Sequence, residues 1–347
     1  GHGIEKLLDY AVEGAAFVFG DDLAKGKFIF LVRIGSSIIF VAALSALTYY
    51  LGVMQRIVKV AAKLLTKTMG VSGPEAVSIS SATVVGQVEC QVLIKPYLAK
   101  LTQSELFCSI TSAMATISGS ALVAYTALGM NPTHLIAASM LSVIAGIVIS
   151  KIVIPETDKQ ALIEKVEMAH QDNGSNAFDA IAIGAMDGAR IAANVMIMVL
   201  VAVAMVAMIN GGLSYVLSFF GVSWTIQDIF GVVLTPVAFL IGVPWDSSFE
   251  VGRLMATEIF INEFAAYGDL AQVMAGKAAY TLDPRTQMIT TIALCGFANL
   301  GSIAINIGGL GAMVPERRGE IARLALRALI CANLATWMTA AVAGILF

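Results

Sequence analysis

Apolar residues fall into runs long enough to cross a bilayer as helices, which takes about twenty residues. Six such spans are predicted, at residues 28–50, 106–129, 134–154, 195–219, 287–314 and 322–347. Ahead of them, residues 3–23 mix Ile4, Leu7, Leu8, Val12, Phe17 and Val18 with Glu5, Lys6, Asp9 and Glu13, the pattern of a helix lying in the interface. The polar connection 155–177, with Glu156, Asp158, Lys159, Glu164, Lys165 and Glu167, is expected outside the bilayer. Residues 178–190 are rich in glycine and alanine and carry Asp179, Asp187 and Arg190. They are predicted as another surface helix, leading into the fourth span.

Two regions depart from this pattern in the same way. The first, 52–101, opens with a basic amphipathic helix over 54–69 that carries Arg56, Lys59, Lys63 and Lys67. Ser72-Gly73-Pro74-Glu75 then marks a helix start, with proline at the first helical position and a carboxylate in the first turn. The apolar run 76–85 is too short to cross, breaks at Gly86-Gln87-Val88-Glu89 and returns over 90–98. The second region, 224–274, opens with an apolar helix over 229–241 and restarts at Gly242-Val243-Pro244-Trp245-Asp246. It breaks at Asn262-Glu263-Phe264 and returns over 265–274. A lead-in helix, a proline start, a short helix, a glutamate-bearing break and a short return thus occur twice in one order. This is the pattern of two re-entrant helical hairpins in an internally duplicated, inverted-repeat transporter. Non-helical backbone survives at membrane depth only inside protein or along a wet cavity, so the broken tips mark where a substrate would sit.

Composition supports lipid as the solvent. Of 347 residues, 58% are hydrophobic and 13% charged, with a mean hydropathy of +0.84, whereas soluble domains are about a quarter charged. A net charge of −3 argues against nucleic acid as a partner. Cys90, Cys108, Cys295 and Cys331 lie in or beside apolar stretches without CxxC spacing and read as small buried hydrophobes. His2, His134 and His170 are too scattered for a histidine metal site. The chain does not open on a cleavable signal peptide. An opening on an interfacial helix raises the expectation of further chain upstream.

The candidate chemistry concentrates at the breaks. A carboxylate deep in a membrane protein costs several kcal/mol unless paired or hydrated, and Glu89 and Glu263 each sit at the break of an apolar hairpin. Each is either a structural ion pair or an acceptor for hydroxyl or amino groups of a polar substrate, and a proton-carrying role is compatible with the second. Gln87 can both donate and accept, as reading a base edge requires. The fifth predicted span contains Gly296-Phe297-Ala298-Asn299-Leu300-Gly301-Ser302-Ile303 and then Gly308-Gly309-Leu310-Gly311, which predicts an unwound middle. Asn299 and Ser302 there are candidates for holding substrate hydroxyls, while the later glycines read as close helix packing. Thr116-Ile117-Ser118-Gly119-Ser120 occupies the matching place in the second span, where unwound carbonyls bind a small cation or small residues pack between helices. Arg317, Arg318, Arg323 and Arg327 read as a positive-inside anchor. Lys95 ends the first hairpin, snorkelling to the interface or pairing with Glu89. GxxxxGK[ST], HExxH and GxSxG are all lacking, so nothing points to hydrolytic chemistry or an organic cofactor.

These residues resemble a known family. Gly86-Gln87-Val88-Glu89 followed by Leu93-Ile94-Lys95-Pro96-Tyr97-Leu98 is similar to the first-hairpin signature of the concentrative nucleoside transporters. Gly242-Val243-Pro244-Trp245 and Asn262-Glu263-Phe264-Ala265-Ala266-Tyr267 resemble its second hairpin. Cys295-Gly296-Phe297-Ala298-Asn299, with Gly308 through Gly311 and Pro315-Glu316-Arg317-Arg318, resembles its late broken helix. The match runs in family order through the chain, including Phe17-Val18-Phe19-Gly20 and Tyr49 through Gln55. The resemblance implies a homotrimer with a scaffold and a mobile transport domain in each protomer, the trimer contact lying on the helices at 28–50 and 195–219. It also implies that Gln87, Val88 and Glu89 face the nucleobase, that Glu263, Asn299 and Ser302 hold the ribose hydroxyls, and that Phe297 packs nearby. A sodium site would use the carbonyls of Val85, Thr116 and Ile117. Three departures stand out: Val88 replaces the family's usual Thr or Ser, Ala82 replaces the asparagine of sodium-coupled members, and the sequence begins at the family's interfacial helix, its usual early spans being either truncated or not included.

The expected architecture is an all-α polytopic membrane protein with broken transmembrane helices. Residues 1–51 form an interfacial helix and scaffold span, and 52–154 the first repeat of the transport domain. Residues 155–222 form a polar loop, surface helix and scaffold span, and 223–347 the second repeat. The expected function is cation-coupled symport of nucleosides such as uridine, cytidine or adenosine, with Na+ or H+ as coupling ion, by elevator-type alternating access in a bacterial inner membrane. A membrane-embedded enzyme using Glu89 and Glu263 as acid and base, or a channel, are the competing readings.

Overall fold

The structure, a computed structural model, describes residues 2–26, 29, 31–158, 174–221 and 223–346. Phe28 of the first predicted span, Lys159, Glu164, Lys165, Glu167 and His170 of the polar connection, and Phe347 lie outside the described residues. Every regular element described is helical. In chain order these are α1 (His2–Phe19), α2 (Ser36–Tyr50), α3 (Val53–Met69), α4 (Gly73–Val85), α5 (Glu89–Val92), α6 (Gln103–Met114), α7 (Gly119–Ala127) and α8 (Pro132–Val153). There follow α9 (Ala177–Ser218), α10 (Ile226–Leu240), α11 (Trp245–Phe260), α12 (Glu263–Met274), α13 (Pro284–Ala293), α14 (Leu300–Met313) and α15 (Arg318–Leu346).

Local chemistry sets the helix ends. The Ser72 hydroxyl accepts from the Glu75 amide at 3.4 Å while Glu75 Oε2 accepts from the Ser72 amide at 3.0 Å. Thr102 with Glu105, and Thr225 with Asp228, repeat this reciprocal box at α6 and α10, each satisfying two orphan amides. Helix α4 stops at Gly86, whose φ of 129° disfavours any side chain.

Two broken helices cross at the centre. Helices α6 and α7 are separated by residues 115–118, and α13 and α14 by residues 294–299, so the unwound middle predicted for the fifth span is present, and of the two readings left open for the second span the unwound one is seen. The breaks meet: the Phe297 amide donates to the Thr116 carbonyl at 3.3 Å, and Asn333 of α15 donates to the Ala298 carbonyl at 2.9 Å. Backbone groups freed by unwinding thus find partners inside the protein, as membrane depth demands. The hairpins α4/α5 and α11/α12 flank this crossing, α4 packed on α3 and α6 and α11 packed on α10. Arg317 ties the first hairpin to the head of α15. It donates to the Leu98 and Leu101 carbonyls at 2.7 Å each and pairs with Glu320 at 2.9 Å, so this partly buried cation is a strut, where the sequence suggested an interfacial anchor.

By length and composition, four helical stretches among the described residues suffice to cross a membrane, or five if the bent pair α2 and α3 counts as one span, where six spans were expected: Gln103–Ala127, Pro132–Val153, Ala177–Ser218 and Pro315–Leu346. Helices α2 and α3 are bent by 80° at their junction. The segment ahead of the fourth span also departs from expectation. Residues 178–190 are not a distinct surface helix but the first turns of α9, which runs for 42 residues, about 63 Å at the usual rise. Small residues explain it. A Cβ on Gly184 would lie 2.4 Å from Ala46 Cβ, and one on Gly188 2.8 Å from Ala42 Cβ. The two glycines, one turn apart, let α9 lie directly on α2. Beyond that contact α9 is largely uncovered and apolar, with Leu200, Met208 and Tyr215 exposed. An ion pair between the buried Glu75 and the partly exposed Lys151, at 2.5 Å, joins the end of α8 to the start of α4.

Candidate functional site

A continuous buried hydrogen-bond network runs from one hairpin tip to the other. Glu263 opens α12 directly after the cap residue Asn262, whose side chain accepts from the Ala265 amide at 3.0 Å. Its Oε1 accepts from the Tyr125 hydroxyl at 2.9 Å and its Oε2 from Asn299 Nδ2 at 2.7 Å. Asn299 in turn caps α14, its Oδ1 accepting from the Ser302 amide at 3.0 Å. Ser302 Oγ accepts from Gln87 Nε2 at 3.1 Å, and Gln87 Oε1 accepts from Asn306 Nδ2 at 3.1 Å. Thus Gln87 of the first hairpin, Glu263 of the second, and Asn299 and Ser302 of the broken helix form one site, although 36 residues separate Glu263 from Asn299 and 215 separate Gln87 from Ser302. Glu263 is 4% exposed, Ser302 1% and Gln87 9%. Unbonded groups of this polarity would be costly at such burial, and here they satisfy one another.

The other predicted residues take distinct places. Glu89 is exposed, in contrast to the expectation of a deeply placed carboxylate. It heads the one-turn helix α5 and folds back over the tip, so that a Cβ on Gly86 would lie 2.6 Å from its Oε2. Val88 packs on α14, where a Cβ on Gly309 would lie 2.4 Å from Val88 Cγ1. Of the glycine-rich run after Ser302, Gly309 and Gly311 are closely packed, on Val88 and Arg318, whereas a Cβ on Gly308 would meet nothing within 4 Å. Phe297 is half-buried in the α13–α14 break, and Lys95 is exposed.

At the predicted cation position, the end of α4 abuts the start of α7: a Cβ on Gly119 would lie 3.4 Å from the Val84 carbonyl. The Thr116 carbonyl accepts from the Phe297 amide, and the Thr116 and Ser139 hydroxyls share a hydrogen bond at 2.5 Å. Ser139 Oγ also donates to the Ile117 carbonyl at 3.4 Å. Ala82, buried against Cys90 and Ala113 with Val85 beside it, offers only a methyl group.

Three residues were missed by sequence reasoning. Tyr125 lies in an alanine-rich helix, and nothing local marks it as a partner of Glu263; its ring also packs on Phe264 and Tyr267 at 4.8 and 4.6 Å. Asn306 stands one turn after Ser302 on the same helix face, a spacing that could have revealed it. Glu258 is fully buried on α11. A separate cavity of about 300 Å3, lined by Asn210, Thr225, Arg253, Asp269 and Tyr280 among others, contains none of the predicted residues.

Comparison with known proteins bears on the family and the fold. Residues 134–344 match the family described as Na+ dependent nucleoside transporter C-terminus, and residues 31–132 match a nucleoside recognition family. The chain is 40% identical to an uncharacterized transporter, YutK, of Bacillus subtilis, covering 98% of this chain and 84% of that protein. It is 36% identical to the nucleoside permease NupC of Helicobacter pylori, covering 99% and 83%. Among solved structures, the inward-facing substrate-bound state of the transporter CNTnw superposes with a TM-score of 0.92 at 36% identity, covering 99% of this chain and 84% of that one. An outward-facing state of a substituted CNTnw gives 0.93 at the same identity, covering 99% and 83%. The enzyme and channel readings give way to transport, and the chain belongs to the concentrative nucleoside transporters, the family whose model is described as Na+ dependent.

Proposed function

We propose that this protein is a cation-coupled nucleoside symporter working by elevator-type alternating access, with uridine, cytidine or adenosine as substrates. The observation that carries the reading is the doubly hydrogen-bonded Glu263. An anionic acceptor held between Tyr125 and Asn299 is built to take a ribose hydroxyl, and charge-assisted hydrogen bonds are the strong ones. Asn299 and Ser302 complete the ribose side, with Phe297 against the substrate. Gln87 and Glu89 face the base, and Val88 is a wall of this subsite without hydrogen-bonding capacity. The exposure of Glu89 suits a group that waits for ligand at the tip of a hairpin.

The two hairpins, α6 with α7, α8, and α13 through α15 make up the transport domain; α2 and α9 form the scaffold. The uncovered apolar face of α9 supports a homotrimer contact in a bacterial inner membrane. The coupling ion is Na+ or H+. A hard cation needs a shell of oxygens, and the carbonyls of Val85, Thr116 and Ile117 would supply it. Ala82 adds no oxygen, and the Thr116 hydroxyl is engaged with Ser139. This thin ligand set favours H+.

The test is uptake of labelled uridine into proteoliposomes under an imposed Na+ gradient, an imposed H+ gradient, or neither. Saturable uptake that only a cation gradient drives above equilibrium is expected. Linear, gradient-independent flux would overturn the symport reading.

A further inference from the structure

Glu258 is a buried carboxyl group that the nucleoside site does not use. It is 0% exposed, and neither oxygen meets a hydrogen-bond donor among the described residues. It lies on α11, five residues before Glu263, which is the charged group close enough to repel it. Tyr267 on α12 and Cys295 in the α13–α14 break also face it. The cation on its own helix, Arg253, points roughly 140° away around the helix. It pairs there with Asp228 of α10 at 2.7 Å and with Glu250 at 3.0 Å, and Asp269 of α12 lies in its field. A carboxyl group with neither donors nor a cation cannot hold a bare charge cheaply. The buried Glu75, paired with a partly exposed Lys151, shows the alternative arrangement in the same molecule, in which the charge is matched.

We propose that Glu258 is the proton-binding site through which nucleoside movement is coupled to a proton gradient. This rests on the transport reading above. The two carboxyls divide their roles by their partners. Glu263, with donors on both oxygens, keeps the negative charge and grips the ribose. Glu258, with none, takes the proton. On the side of higher proton concentration, the carboxylate of Glu258 accepts one proton from water to become the neutral acid, which removes a like charge beside Glu263. A nucleoside hydroxyl donating to Glu263 then strengthens the anionic form of Glu263 and so favours the proton on Glu258. Linkage makes this reciprocal, so proton and nucleoside bind cooperatively. On the other side the nucleoside leaves, and Glu258 returns its proton to water.

The experiment compares wild type with Glu258→Gln, which mimics the protonated acid, in proteoliposomes. Wild type should accumulate uridine under an inward proton gradient, about tenfold per pH unit at one proton per nucleoside. Glu258→Gln should exchange labelled for unlabelled uridine at a near-normal rate yet fail to accumulate it. Its uridine affinity should also lose the pH dependence shown by wild type. Should the glutamine variant not fold, a pH-sensitive dye inside wild-type vesicles reads the same coupling, as uridine-dependent acidification of the lumen. Accumulation by Glu258→Gln under a proton gradient, or wild-type uptake driven by Na+ with no uridine-dependent proton entry, overturns the inference while leaving nucleoside transport intact. Absence of uridine exchange by wild type would instead sink the transport reading, and this inference with it.

Discussion

The acceptor side of Glu263 is built by residues far apart in the chain, and its energetics are testable one group at a time. Tyr125 brings one donor and Asn299 the other. A hydrogen bond to a charged group is worth about 1.5–3 kcal/mol, which corresponds to roughly ten- to a hundredfold in affinity. Tyr125→Phe keeps the ring contacts with Phe264 and Tyr267 and removes only the hydroxyl. It is expected to weaken uridine binding by about that factor, read by calorimetry on detergent-solubilised protein, with thermal stability close to wild type. Glu263→Gln replaces an acceptor oxygen by a donor facing a donor. We expect uptake to be abolished while expression and membrane insertion are retained, checked by transport assay beside an immunoblot of membranes. Robust uptake by that variant would falsify the ribose assignment. Glu263 was identifiable from sequence because an acid at a hairpin break is anomalous in an apolar run. Tyr125 was not, because a tyrosine in a membrane helix is ordinary until its neighbour is known.

Helix ends and breaks were the most readable features of the elements. Pro74, Pro244, the Ser72–Glu75 start and the Gly86 break are all determined by residues within a few positions, so local pattern found the two hairpins, and the glycine and polar breaks found the unwound middle of the fifth span. The failure was α9. Its Gly184 and Gly188 looked like a weak, polar-flanked surface segment, but their lack of side chains is what seats the helix on α2. A glycine that permits close approach and a glycine that loosens a helix look alike until the partner helix is in view. The contact can be measured. Gly188→Leu would drive a side chain into Ile39 and Ala42, and overpacking of this kind costs about 1–3 kcal/mol. A clear drop in thermal midpoint is expected, whereas Gly211→Leu, which meets no atom within 4 Å, should leave it nearly unchanged.

At the scale of the molecule, two hairpins and two broken helices converge so that polar groups satisfy one another in an otherwise apolar body, while α9 keeps an uncovered apolar flank. If that flank is the contact between copies, the particle in mild detergent should weigh three chains by light scattering after correction for detergent. Charged substitutions at Leu200 and Met208 should reduce it to one. A monomeric wild type that transports at full rate would refute the trimer. Hydrophobic run length, proline and capping chemistry are short-range properties, so they dictate helices, hairpins and the positions of the breaks before any folding is considered. Which groups meet is another matter. Gln87 reaches Ser302 across 215 residues and Tyr125 reaches Glu263 across 138, and packing leaves the Glu258 carboxyl without a hydrogen-bond partner among the described residues. A hydrogen-bonding side chain carries no mark of its distant mate, so only the packed three-dimensional arrangement selects one from the many candidates that the chain contains.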